Sequence, residues 1–248
     1  MSPRLTFATA ARVLRQLRRD HRTIALLMLL PLVLLTLLWW MFIDTTGPGG
    51  QPIFDPLGAR LMGLFPMLLM FVITSVTTLR ERTSGTMERL MASPTGKADV
   101  VLGYALAFGV VASVQALVLV GFTMGVLDLD IQGATLALAL IIVLDGLLGT
   151  ALGLAASSLA TTEFQAVQMM PAVILPQLLL SGLFLSRDSM PPALELISDV
   201  LPLSYAIDAI NHLLVGDTAE IWPQVAVLVA FIVGALALGV GTLRRRTP

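Results

Sequence analysis

Residues 81–90 read Glu81-Arg82-Thr83-Ser84-Gly85-Thr86-Met87-Glu88-Arg89-Leu90, and Pro94 follows. Charges of both signs are interleaved with Met87, Leu90 and Met91 at helical spacing, which predicts a short amphipathic helix. Gly85 permits a tight bend at its start, and the residue before Pro94 is disfavoured in a helix. The chemistry open to such a segment is recognition: an apolar stripe framed by charge fits a groove on a partner. The same residues also fit a solvated loop whose charges only set topology, and physics alone leaves both readings open.

Catalytic constellations are missing from the sequence. Gly96-Lys97 is followed by Ala98 and lacks the upstream glycine of a phosphate-binding loop. No G-x-S-x-G elbow or H-E-x-x-H pair occurs. With no cysteine and only His21 and His212, no metal site is expected, and no catalytic residue is assigned. Asp145 stands near the middle of a long apolar run, where a charge costs at least about 2.5 kcal/mol in a bilayer. It is expected to face protein or a water-filled cavity. There it would either meet a cationic substrate or a proton, or be neutral or hydrogen-bonded to Thr150 or Gln115; the second account is preferred. Gln115, Gln165, Gln168 and Gln177 read as packing glue between helices. Gly121-x-x-x-Gly125 and Gly149-x-x-x-Gly153 allow close helix approach, and the methionines of these runs are ordinary membrane packing.

The elements that must position these residues follow from hydropathy. Mean hydropathy is +0.90, 56% of residues are hydrophobic and 12% are charged, too little polar surface for a soluble fold. Six runs reach the roughly 20 residues needed to cross a bilayer: 24–43, 57–79, 100–127, 132–159, 166–185 and 222–243. Pro66 interrupts the second run, and Pro171 and Pro176 the fifth. Lipid cannot satisfy exposed backbone groups, so the spans must be helices and the fold class is all-α. Thirteen of the 15 Lys and Arg residues form three clusters, at 4–22, at 80–97 and at 244–246, leaving only Arg60 and Arg187 elsewhere. Positive clusters mark cytoplasmic segments, which puts both termini and the 80–99 loop inside and the acid-rich loops outside.

Two regions lie outside this pattern. Residues 4–22 place Leu5, Phe7 or Ala8, Ala11, Leu14 and Leu17 on one stripe with arginines elsewhere, predicting an interfacial amphipathic helix. Residues 186–221 are too apolar for a plain loop. Pro191-Pro192 opens one short helix, Pro202 interrupts it, and a second runs toward Gly216. Neither half can span a bilayer, so the pair is expected to dip into the outer leaflet.

The Glu-Arg-x-x-Gly-Thr-x-Glu-x-Leu stretch with its following proline resembles the signature of ABC-2-type transporter permeases, in particular their drug and antibiotic resistance branch. Ser181-Gly182-Leu183-Phe184, Met190-Pro191 and Leu201-Pro202-Leu203-Ser204-Tyr205-Ala206-Ile207-Asp208-Ala209 are similar to the family's second signature. Two departures are Asn211, where many relatives carry a basic residue, and Ser186-Arg187, where a proline is common. The resemblance implies a single transmembrane domain over 1–248 in a bacterial inner membrane. It implies a second permease chain as dimer partner and separate ATPase subunits that bind ATP and Mg, with no cofactor on this chain. Lipid is its other partner; nucleic acid is not one. The segment carrying Glu81, Arg82, Gly85, Thr86, Glu88, Leu90 and Pro94 would be the coupling helix, with 4–22 the connecting helix beside it. Gly182, Met190, Pro191, Pro202, Tyr205 and Asp208 would mark the re-entrant pair. The implied activity is export of hydrophobic or amphipathic compounds. Export of polysaccharide or glycolipid by the same architecture is the nearest alternative, and an ion-coupled transporter using Asp145 a more distant one.

Overall fold

The computed structural model of the chain describes residues 2–47, 50, 52–86 and 96–242. In chain order the main helices are α1 (Pro3–Arg19), α2 (His21–Phe42), α3 (Phe54–Thr83), α4 (Lys97–Gly125), α5 (Thr135–Leu159), α6 (Glu163–Leu180), α7 (Pro192–Ser198), α8 (Pro202–Leu214) and α9 (Trp222–Thr242). Short 3₁₀ turns at Arg187–Ser189 and Ala219–Ile221 precede α7 and α9. Among the described residues, five helices are long and apolar enough to cross a membrane: α2, α3, α4, α5 and the one that ends the described chain. The protein is therefore a multi-pass membrane protein. The remaining predicted run, 166–185, corresponds to α6, which ends at Leu180 and carries Glu163 and three glutamines in 18 residues.

The prolines do not break their helices. α3 is continuous through Pro66, α6 through Pro171 and Pro176, and α2 through Pro31. Each proline frees the carbonyl four residues back, and such helices persist in membranes when something else satisfies that group. At Pro31 the freed carbonyl belongs to Leu27, and Gln115 of α4 donates its Nε2 to it at 3.1 Å. Gln115 is thus a backbone partner for a kinkable helix. Gln177 has a related role: its Oε1 accepts from the Leu203 N–H at 3.2 Å, in the unpaired first turn of α8.

α3 and α5 form the centre, with α2 and α9 largely exposed on the flanks. Gly149 and Gly153 explain how the central pair approaches so closely. A Cβ at Gly149 would lie 2.2 Å from the Met67 carbonyl oxygen, and one at Gly153 would lie 2.6 Å from that of Phe71. This G-x-x-x-G pair works within the chain. Gly121 and Gly125, the other such pair, have nothing within 4 Å of where a Cβ would stand. Around the α3–α5 seam pack Met62, Ile141, Leu148, Ile207 and Ile210.

α1 packs on α4 through a face of small and apolar residues. Thr6, Thr9, Ala10, Val13 and Leu17 are buried, while Phe7 is 64% exposed and Ala8 and Ala11 are exposed. The reason is steric. A Cβ at Gly103 of α4 would meet the Thr9 Cβ at 2.6 Å and the Thr6 carbonyl at 2.9 Å, so the small side of α1 nests against a glycine. Close packing, not hydrophobicity, sets the rotation of this helix.

Gly149→Leu should destabilise the solubilised protein by about 3 kcal/mol or more, because backbone on the opposing helix cannot give way. Gly121→Leu should leave the thermal midpoint nearly unchanged. Parallel melting curves in detergent check the contrast; equal losses at both sites would contradict the assignment of the α3–α5 seam.

Candidate functional site

Three consecutive side chains at the end of α3 grip four other helices. Residues step by 100° around a helix, so Arg80, Glu81 and Arg82 fan out in three directions. Arg80 pairs with Glu163 at the start of α6, 2.8 Å away. Glu81 receives Arg12 of α1, also at 2.8 Å, and the Tyr104 hydroxyl of α4. Arg82 donates to the Ser157 carbonyl in the last turn of α5, where the carbonyls lack helical partners and a cation is favoured.

Glu81 is the core of this fan. It is 4% exposed, and Arg12 Nη2 also donates to the Tyr104 hydroxyl at 2.9 Å. The Arg12 guanidinium lies 5.7 Å from the Tyr104 ring centroid, adding a cation–π contact. α1, α3 and α4 therefore meet at one carboxylate. Asp99, also buried, fastens the same corner: it accepts from the Ser2 N–H at 2.8 Å, the Thr6 hydroxyl at 3.3 Å and the Gly96 N–H at 3.1 Å. That ties the start of α1 to the start of α4.

Directly beyond this fan α3 stops. The Ser84 N–H bonds back to the Arg80 carbonyl, and Gly85 takes φ of +73° with no atom within 4 Å of a Cβ position. Glycine suits this left-handed helix end, as the bend expected at Gly85 requires. Thr86 is exposed to Ser84, hydroxyl to hydroxyl at 3.0 Å. Glu88, Leu90 and Pro94 lie outside the described residues. Glu81 and Arg82 belong to α3 and turn inward to neighbouring helices, so of the motif's charged residues only Glu88 and Arg89 follow the bend.

At the other end of α3, roughly 30 Å away along the helix axis, the two outlying arginines organise a second cluster. Arg60 Nε donates to Asn211 Oδ1 at 2.8 Å, and its Nη1 reaches the Leu183 carbonyl at 3.5 Å. Arg187 pairs with Asp199 and Asp208, donates to the Ser198 hydroxyl at 2.8 Å and stacks 5.6 Å from the Tyr205 ring centroid. Burial pushes the Asp208 carboxyl above its ordinary pKa, opposed by the Arg187 charge. Beside them opens a cavity of about 470 Å³, lined by Arg187, Asp188, Asp208, Asn211 and His212 among others. Gly182 lines this cavity, Met190 ends the 3₁₀ turn with its N–H on the Arg187 carbonyl, Pro191 and Pro202 sit at the starts of α7 and α8, and the Tyr205 hydroxyl bonds the Asp199 carbonyl.

Asp145 is fully buried in α5, and neither carboxylate oxygen has a hydrogen-bond partner. The bonds expected from Thr150 and Gln115 do not form: Thr150 bonds the Gly146 carbonyl of its own helix, and Gln115 is committed to Leu27. Arg12, Tyr104, Asp99 and Glu163 were not among the residues expected at the site. Their partners lie tens of residues away, so no local pattern announces them.

A family model described as ABC-2 type transporter matches residues 4–215. The chain belongs to the ABC-2 type transporter family. It is 30% identical over 182 residues to the inner membrane transport permease YhhJ of Escherichia coli, covering 72% of this chain and 48% of that protein. The probable multidrug ABC transporter permease YbhR of the same organism is 24% identical over 173 residues, 67% of this chain and 47% of its own length. ABC transporter G family member 20 of Dictyostelium discoideum is 25% identical over 178 residues, covering 70% of this chain and 24% of that protein. The matches thus span about half, or less, of the curated relatives. Glu81 and Arg82 of the fan open the stretch that resembles the family's first signature, and Asp208 of the Arg187 cluster lies in the stretch similar to its second. Asn211 accepts from Arg60, and Arg187 binds Asp208.

Breaking the Arg12–Glu81 pair leaves one charge behind; fully buried pairs lose about 3–5 kcal/mol this way. Arg12 is partly exposed, so Glu81→Ala should cost nearer 2 kcal/mol. In a double-mutant cycle with Arg12→Ala, the second change should cost far less than the first. Strictly additive losses in thermal or denaturant unfolding would show that the pair is not coupled.

Proposed function

We propose that this chain is the membrane subunit of an ATP-driven exporter of hydrophobic or amphipathic, drug-like compounds. ATP and Mg bind to separate ATPase subunits, and a second permease chain, identical or related, completes the path. One transmembrane domain fills the chain, in a bacterial inner membrane with both termini in the cytoplasm, consistent with the basic clusters at 4–22, 80–97 and 244–246. α6 is the sixth crossing: its 18 residues reach about 27 Å, close to the hydrocarbon thickness. α7 and α8 are the short pair in the outer leaflet. The exposed Leu196, Ile197 and Val200 support that placement.

The observation that carries this reading is the fan of Arg80, Glu81 and Arg82. A push delivered to the segment beyond Gly85 reaches α1, α4, α5 and α6 through three adjacent side chains. A loop whose charges only set topology has no use for such a grip. Glu88 and Leu90 are then the polar and apolar contacts to the ATPase, Gly85 the bend, and Pro94 the stop. The multidrug designation of YbhR supports a drug-like cargo.

Co-reconstitution with its ATPase should give nucleotide-dependent export of an amphipathic fluorescent compound. Gly85→Val, which disfavours the left-handed bend, and Leu90→Ala should each lower that export at least ten-fold while the chain still inserts and purifies. Transport that continued without nucleotide but stopped when the proton gradient was collapsed would instead establish ion coupling.

A further inference from the structure

The two short helices at the acidic end are held very unequally. α8 is locked into the bundle. Leu203, Ile207, Ile210 and Leu213 are buried, Gln177 satisfies its first turn, and Arg60 pins Asn211 to α3. α7 has no such footing: of its seven residues only Ser198 is buried, and Leu196 is 70% exposed. α7 touches α6, yet its polar attachments run through Arg187 and Tyr205. Arg187 Nε reaches Ser198 at the end of α7, Nη2 reaches Asp199 just beyond it, and Nη1 crosses to Asp208 on α8. The Tyr205 ring supports the guanidinium, and its hydroxyl holds the Asp199 carbonyl at 2.7 Å.

We propose that Arg187 is a latch that holds α7 down against α8 at the rim of the 470 Å³ cavity, so that release of this single cation swings α7 away and widens the cavity's mouth. Only a guanidinium has the donors and the planar fork to hold a hydroxyl and two carboxylates at once. Gly182, at φ of +88°, takes the left-handed turn that brings the chain to Arg187. The flanks provide hinges. Gly182 lies before the 3₁₀ turn, and the break at Leu201-Pro202 lies after α7. Once the cation leaves, Asp199 and Asp208 lose the counter-charge they share, and their repulsion drives α7 outward. Arg187 is thus a positioning residue for the last stage of transport. The inference rests on the proposed topology for the side on which the cavity opens, but not for the latch itself.

The chain has no cysteine, so single cysteines report directly. Met190→Cys, at a position 8% exposed in the latched form, is labelled with a membrane-impermeant maleimide added to whole cells. The expected result is slow labelling in the otherwise native chain, at least ten-fold faster labelling with Arg187→Gln, and an intermediate rate with Arg187→Lys. Ser186→Cys, already exposed, should label equally in both backgrounds, and Ile141→Cys, buried in α5, should stay silent. Equal Met190→Cys rates with and without Arg187 would overturn the latch. If Arg187→Gln exposes Ile141→Cys, the bundle has unfolded, and Asp199→Asn, which loosens one arm, decides instead. Faster Met190→Cys labelling with a silent Ile141→Cys supports the latch, and an unchanged rate overturns it. Should Ser186→Cys label only in inverted vesicles, the topology falls, while the Arg187 dependence of Met190→Cys, measured there, still tests the latch.

Discussion

Glu81 is a carboxylate held almost entirely out of water, tolerable there because Arg12 and Tyr104 reach it from two other helices. Removing a charge from water is expensive, and mutual attraction offsets that cost only when geometry and extra hydrogen bonds are good. The arrangement therefore punishes relative motion: any slide of α1, α3 or α4 that separates the three groups strands a buried charge. Arg82 and Arg80 extend the same constraint to α5 and α6. The basic end of the bundle is thereby cross-linked through five helices, α1, α3, α4, α5 and α6.

The interior works by a complementary rule. Few specific bonds cross the central seam; α3 and α5 are joined by backbone proximity at Gly149 and Gly153. At Pro31 and at the first turn of α8 a glutamine from another helix supplies the missing backbone partner, Gln115 for Leu27 and Gln177 for Leu203. Each such amide fixes how two helices are rotated against each other, because it must meet one particular backbone atom. Steric contact at the centre and directional bonds at the breaks together fix how the helices are set against one another.

Much of this was legible in the sequence. The six apolar runs are all helical, with ends shifted by a few residues, because hydropathy and the bilayer's intolerance of bare backbone leave little choice. Gly85, Pro192, Pro202 and Gly216 punctuate the chain where their conformational preferences say they should. What could not be read was rotation and pairing. The interfacial reading of α1 names its apolar stripe but not the face that meets the bundle, which Gly103 and the small residues Thr6, Thr9 and Ala10 select. Glu81 in isolation reads equally well as a solvated charge, since Arg12 lies 69 residues away and Tyr104 lies 23. For Asp145 the sequence leaves open a neutral carboxyl or a bond to Thr150, Gln115 or another buried group; Thr150 and Gln115 are engaged with backbone carbonyls, and neither carboxyl oxygen has a partner. The exceptions to the charge pattern, Arg60 and Arg187, were visible from the start as outliers, though their partners were not.

Those two outlying cations also govern the order in which the molecule can be made. Arg60 leaves the ribosome 151 residues ahead of Asn211, so while α3, α4 and α5 are being inserted it has no acceptor from α8 and must remain hydrated at the membrane surface. Arg187 waits a much shorter time, since Ser198, Asp199 and Asp208 follow within 21 residues. The far end of the bundle is consequently the last part to mature: biosynthesis completes the inner corner of α1, α3 and α4 first and closes the opposite side only when α8 has emerged.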